Sequence, residues 1–373
     1  MNRLKSGILS CVMIVLLCVP AFASETNSLS IRSGAMSNNP NLQASVDDFF
    51  EARSFTQDSL QSRSALATAD PVRMDAIRQY SEDTELTIIR STSTPIIESA
   101  TYSENGDVIL DVYEWVSVEY IPDGCDNVDY MGYETQHTMT LRNVNGEYVC
   151  IDDINDELDL LLYGDCIPGT EVTPADNSVQ NNDAAESTTA YITFADYDVT
   201  ALVEYADSWV EHKIHSETAT GPHKYNPDYG YFLNNDCANY VSQCMYAGGL
   251  PFDEGSGRNN TSTSQWWFDT SKVVANQSNS NYTCPPPWRS VSNMSTYFKN
   301  KGYEIQAVAS GGTNVFPGNP VYASGHIVMC VGYNDAGKPI CNGHTRDVWH
   351  YVYNYATAAS GRSTILIVDE DLT

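Results

Sequence analysis

One cysteine of this chain stands where a nucleophile would need to stand. It lies in Asn234-Asn235-Asp236-Cys237-Ala238-Asn239-Tyr240-Val241-Ser242-Gln243. Asp236 is a good N-cap type, and Ala238, Val241 and Met245 recur at the spacing of a helix facing a core. Gly248-Gly249 would end that helix. Cys237 would then occupy the first turn, where unpaired N–H groups and the helix dipole favour negative charge. That setting lowers a thiol's pKa and raises its thiolate fraction. One of the same N–H groups could donate to the oxygen of a carbonyl under attack. A lone cysteine is more often a small buried apolar residue, so its company decides.

That company is histidine. His326 opens the apolar run Ile327-Val328-Met329-Cys330-Val331, which reads as a buried strand. A histidine at the edge of a rigid strand can reach into a cleft as a general base. Asn334-Asp335-Ala336-Gly337 turns the chain, Pro339 to Asn342 returns beside it, and His344 follows. His344 could accept a hydrogen bond from the His326 ring and hold its useful tautomer; the Asn342 side-chain oxygen could do the same. Tyr229 and Tyr231 are weaker candidates to assist at the oxyanion. A metal is not expected. His212, His215 and His223 lack the HExxH pattern and the cysteines lack CxxC spacing. The aromatics Trp266-Trp267-Phe268 and Trp288 either stack on a sugar or peptide, or cover the edge of a core.

The elements that must position these residues divide the chain in two. Residues 44–163 read as an α+β module. Its helix spans Ala44 to Ala67, and its strands Leu86 to Arg90, Ile96 to Tyr102, Val108 to Ile121, Thr135 to Val144 and Glu147 to Ile151. Asn105-Gly106 and Asn145-Gly146 are the hairpin turns. Residues 164–190, rich in Pro, Asn, Asp and Ser, read as a linker. Residues 191–373 open with helices at Val199 to Ile214, after Asp236, and at Val291 to Lys301. The strands Ile305 to Ala309, Pro320 to Tyr322, Ile327 to Tyr333, Pro339 to Asn342 and Ile365 to Val368 follow. Helices first and strands afterwards indicate an α+β domain.

The start of the chain reads as a secretory signal over residues 1–23: Arg3 and Lys5, a short apolar stretch from Gly7 to Pro20, then Ala21-Phe22-Ala23. A polar spacer occupies 24–43. The expected location is secreted, with cell-wall association open and no transmembrane segment. A formal net charge of −29 argues against nucleic acid, which is bound by neutralising phosphates. The acidic excess is steepest before Tyr191, where no Lys follows Lys5. Past the signal the cysteines are Cys125, Cys150, Cys166, Cys237, Cys244, Cys284, Cys330 and Cys341, whose connectivity sequence alone does not give.

Taken together, Tyr225-Asn226, Asn235-Asp236-Cys237-Ala238-Asn239-Tyr240-Val241-Ser242-Gln243, Ala247-Gly248-Gly249, Trp288, His326-Ile327-Val328, Gly332-Tyr333 and Gly343-His344-Thr345-Arg346-Asp347 resemble the putative amidase domain family of bacterial secreted proteins. The resemblance covers about Tyr191 to Asp369. It implies kinship with the NlpC/P60 and CHAP groups of papain-like hydrolases, in which an Asp-Cys pair opens a helix packed on a small antiparallel sheet. It further implies Cys237 as nucleophile, His326 as base and His344 as third polar member. Peptidoglycan stem peptides are the implied substrate and no cofactor is called for. One departure is Gly318-Asn319, where relatives often carry Gly-Asp. The N-terminal module loosely resembles NTF2-like or cystatin-like sheets, which implies a presenting role. A non-catalytic wall- or protein-binding module on the same fold is the alternative; the complete Cys237, His326, His344 set argues against it.

Overall fold

The computed structural model describes residues 31–32, 40–57, 70–163, 197–212, 224–232, 235–277, 282–323, 325–352 and 362–368. The segment read as a signal and the linker at 164–190 lie outside the described residues.

Strand β1 (Ile31–Arg32) precedes helix α1 (Pro40–Arg53). The helix ends well short of Ala67, because Ser54 leaves it and strand β2 (Phe55–Thr56) pairs with Ser91 and Arg90. Helix α2 (Pro71–Thr84) was not anticipated, although its start is well marked. Asp70 accepts from Val72 N–H and Arg73 N–H, and Pro71 pre-sets the first helical φ. Four long strands follow: β3 (Leu86–Tyr102), β4 (Val108–Pro122), β5 (Asp129–Val144) and β6 (Glu147–Asn155). The two strands expected before Asn105 are one, with register shifts after Ile88 and Ile97. Both hairpin turns fall where Asn-Gly predicts them, with Gly106, Asn145 and Gly146 at positive φ.

Helix α3 (Glu157–Tyr163) closes this half. Helix α4 (Val199–Ser208), helix α5 (Cys237–Ala247), the short α6 (Pro286–Arg289) and α7 (Val291–Asn300) then lead into β7 (Ile305–Ala307), β8 (Pro320–Ala323), β9 (His326–Tyr333), β10 (Pro339–Gly343), β11 (Val348–Val352) and β12 (Ser363–Ile365). Strand β11 was not anticipated, and it has the largest architectural consequence. The main path runs β1-β3-β4-β5-β11-β10-β9-β8-β12-β7, with every pairing antiparallel. Val348 pairs with Tyr133 and Trp349 with Gly132, so β11 takes the part of β5's edge that β6 leaves open. The chain is thus a mixed α and β protein built on one large antiparallel sheet.

A buried charge network holds the first half together. Arg53 of α1 meets Glu114 of β4 at 3.0 Å and Glu157 of α3 at 2.5 Å, and Arg73 of α2 meets Glu157 at 2.6 Å. Tyr133 donates to Glu157, and His137 lies between Glu114 (3.0 Å) and Asp153 (2.8 Å). Every charged end has a partner, which is the condition for burying charge without large cost. An apolar cluster of Leu42, Val46 and Phe50 on Val108, Leu110, Val112, Met139 and Leu141 seats α1 on the sheet. A second, larger cluster continues from Tyr80, Met131 and Tyr133 through to Val241 and Met245. Among the described residues no helix is long and apolar enough to cross a membrane.

Candidate active site

Helix α5 begins at Cys237, with Asp236 at the N-cap position as its residue type suggests. The expected cap hydrogen bond is absent. Asp236 has helical backbone angles (φ −93°, ψ −7°), not the extended ones of a capping residue, and its carboxylate is used elsewhere. Oδ1 accepts from Phe232 N–H at 2.8 Å and from the Asn239 amide at 2.9 Å, and Oδ2 lies 2.7 Å from His344 Nδ1. The helix start is capped from 108 residues away. Thr345 Oγ1 accepts from Cys237 N–H at 3.0 Å and from Asp236 N–H at 2.5 Å. Of the first-turn N–H groups anticipated as oxyanion donors, that of Cys237 is therefore taken by a hydroxyl. Thr345 has φ 80°, a conformation that β-branched residues adopt only under constraint, at a cost of about 1–3 kcal/mol.

His344 is 1% exposed and stacks on Tyr240 at 4.0 Å. Its Nε2 lies 2.5 Å from the Trp209 carbonyl, so the two ring nitrogens face a carbonyl and a carboxylate. Both partners are acceptors, so the two ring nitrogens are committed to Asp236 and to the Trp209 carbonyl. Both ring nitrogens thus have partners other than His326, and the ring is a post that fixes the start of α5. Asn342 is likewise committed, its Nδ2 to Asp207 of α4 at 2.8 Å and its Oδ1 to His350 N–H at 2.8 Å. The Asp207 carboxyl stays below its ordinary range: burial raises it, and this is outweighed by hydrogen bonds from His350 and Asn342.

His326 is the first residue of β9, opposite Ala323, and is 3% exposed. Strand β10 runs antiparallel to β9, with Asn342 opposite Met329, so the end of β10 that leads to His344 and Thr345 lies beside the start of β9. Cys237, bound to Thr345, is thus at the end of the sheet where His326 begins. The Tyr229 ring packs on Phe268 (5.0 Å) and Trp288 (5.9 Å), and burial pushes its hydroxyl up to about 12. Tyr231 pairs with Asn276 and packs on Tyr225.

The rest of the motif is scaffold. Asn239 accepts from Trp288 Nε1 at 2.8 Å, Ser242 donates to the Trp288 carbonyl and accepts from Trp266 Nε1, and Gln243 accepts from Tyr205. Trp266, Trp267, Phe268 and Trp288 are buried, so these aromatics belong to the core and offer no stacking platform. Asn319 ties β8 to the backbone of Ile367 and Val368, a structural role for the position that departs from the family pattern. Burial pushes the thiols of Cys244 and Cys284 well above the ordinary cysteine range. His212 stacks on Trp349 at 4.6 Å, while His215 and His223 lie outside the described residues. Among the described residues no group of three or more His, Cys, Asp or Glu side chains could hold a metal ion.

Sequence reasoning singled out Cys237, His326 and His344 but gave Thr345 no role. Nothing local in a sequence marks a threonine for positive φ.

Comparison with known proteins bears on the second half of the chain. Residues 196–367 match the model of the family described as "Putative amidase domain", which suggests an amide hydrolase. The chain is 25% identical over 211 residues to the uncharacterized protein YhbB of Bacillus subtilis (strain 168), an alignment covering 52% of this chain and 58% of that protein. The chain therefore spans less than two thirds of that relative. No solved structure matches the chain.

Proposed function

We propose that residues 196–367 form a cysteine-dependent amide hydrolase of papain-like, NlpC/P60-type architecture, with Cys237 as nucleophile and His326 as base. The observation that carries this reading is the position of Cys237. It is the first residue of α5, its N–H fixed by Thr345 and its neighbour Asp236 fixed by His344, at the end of the sheet where β9 starts with His326. His326 takes the Cys237 thiol proton as the sulfur attacks an amide carbonyl carbon, and the tetrahedral intermediate collapses as His326 passes that proton to the departing amine. A thioester remains. Water attacks it, His326 takes the water's proton, and the carboxylic acid leaves as the thiol is restored. Asp236 and His344 act as a hydrogen-bonded anchor for the nucleophile's helix.

Peptidoglycan stem peptides are the substrate class we propose, with an exported protein as the setting. The test is mass spectrometry of purified bacterial sacculi incubated, under reducing conditions, with the protein or with Cys237→Ala or His326→Ala. New amide-cleavage fragments with the parent protein alone support the reading. The same fragments with Cys237→Ala refute it.

A further inference from the structure

We propose that the Thr345 hydroxyl is the oxyanion donor of this site, an inference that rests on Cys237 acting as the nucleophile. A threonine hydroxyl has two lone pairs and one proton. Both lone pairs are engaged here, one by Cys237 N–H at 3.0 Å and one by Asp236 N–H at 2.5 Å. The O–H is what Thr345 has left to offer, so toward any incoming group it acts as a donor. Accepting two backbone N–H bonds at a helix start also polarises that O–H and carries the positive end of the helix outward through it. The sequence pointed to a backbone N–H of the first turn as donor; at Cys237 the structure interposes a hydroxyl that relays it.

Three further observations fit a donor held ready for a developing charge. Thr345 is half-buried while Cys237 is 1% exposed, so the residue that caps the helix start is more open to solvent than the cysteine it caps. Its backbone is held at φ 80°, and such strain persists only where surrounding contacts over-determine it. Those contacts lie on both sides. His344 is fixed by Asp236 and the Trp209 carbonyl. Beyond it, buried Arg346 bonds to Asp156 at 2.7 Å and the Asp347 carbonyl accepts from Glu134 N–H at 2.7 Å. Asp156 and Glu134 belong to the N-terminal half, so that half helps to hold the donor in place. A preorganised donor of this kind needs no rearrangement when the carbonyl oxygen gains charge.

The experiment compares Thr345→Val, which keeps the shape and loses the hydroxyl, with Thr345→Ser, which keeps the hydroxyl, in the full chain. Two rates are read: turnover of sacculi, and alkylation of Cys237 by iodoacetamide, a displacement that builds no oxyanion. Thr345→Val should lower kcat by about 10²–10³-fold, the usual effect of losing one oxyanion donor, with little change in KM. Its iodoacetamide rate should stay within about twofold of the parent rate, since the step lacks the charge this donor serves. Thr345→Ser should recover most of the lost kcat. A Thr345→Val enzyme with parental kcat overturns the proposal. So does a fall in both rates together, which would mean that Thr345 merely holds Cys237 in place. If Thr345→Val does not fold, a Thr345→Ser enzyme as impaired in kcat as Cys237→Ala also overturns it. A fully active Cys237→Ala would instead sink the underlying reading of the nucleophile, so the two failures are distinguishable.

Discussion

Removing the Asp236 carboxylate tests the architecture of the site, and two substitutions should separate sharply. In Asp236→Ala three buried donors lose their acceptor: Phe232 N–H, the Asn239 amide and His344 Nδ1–H. Each buried unsatisfied group costs about 1–3 kcal/mol, so even with relaxation the loss should reach at least about 3 kcal/mol. In Asp236→Asn the side-chain oxygen keeps the first two donors and the new amide faces His344. The ring can accommodate it by giving up the Nδ1 proton and accepting, while Nε2–H still donates to the Trp209 carbonyl. The change is one charge-assisted hydrogen bond for a neutral one, about 1–2 kcal/mol. Urea unfolding at matched slopes gives both values, and nitrogen NMR of the His344 ring reports its protonation. The expected spectrum has both nitrogens protonated in the parent protein and one in Asp236→Asn. Equal destabilisation by the two variants, or an unprotonated Nδ1 in the parent protein, would refute the reasoning.

The remaining predictions concern the buried charges and the strap beyond His344. Burial works against the charged form of His137, yet its hydrogen bonds to Asp153 and Glu114 raise its pKa above the usual histidine value. Its stabilising contribution is therefore complete below about pH 6.5 and lost as pH rises through the folded value. Glu114 is shifted the other way: burial raises it, but the Arg53 charge and the His137 contacts prevail and lower it. Its contribution is lost as pH falls through the depressed value. Urea unfolding should find the advantage of the parent over His137→Gln shrinking from pH 6 to pH 9; a widening gap would contradict this. Glu157→Gln leaves buried Arg53 and Arg73 short of a counter-ion and should cost about 3–5 kcal/mol in the same assay. By contrast Arg90→Gln, which removes a pair with Glu119 on the exposed face, should leave the unfolding midpoint close to the parent's. Asp156→Asn weakens the Arg346 contact that steadies Thr345 and should lower kcat on sacculi about tenfold with little change in melting temperature; parental kcat would contradict it.

How much of this was legible in the sequence depends on the range of the interaction. The start and end of α5 were legible from residue type, Asp236 at the N-cap position and Gly248-Gly249 after the last turn, although the cap hydrogen bond comes from Thr345; the hairpins were legible because Asn-Gly sets its own φ. Helix α2 carried a readable Asp70-Pro71 signal, but its buried Met74, Ile77 and Tyr80 are diluted by charged neighbours. Strand β3 was read as two because Ser91 to Pro95 has weak strand character; pairing with β4 along its whole length overrides that preference. Strand β11 is Val-Trp-His-Tyr-Val, with His350 at φ 51°, so its alternation is broken and only its partners on β5 and β10 define it. The hydrogen-bond roles of His344, Asn342 and Thr345 come from contacts more than a hundred residues away or across strands, and residue type leaves such roles open. Asp236 shows the limit most clearly: its type marked the helix start, while its carboxylate serves His344.

The central claim is a covalent thioester on Cys237, and the most direct measurement is to look for it. The protein and Cys237→Ala would be incubated with sacculi, quenched in acid and digested, and the peptide containing Cys237 analysed by mass spectrometry before and after hydroxylamine. The account predicts an acyl adduct on Cys237 that hydroxylamine removes, with neither adduct nor fragments from Cys237→Ala. Fragment release by Cys237→Ala at the parental rate, or an adduct on another residue, would contradict it.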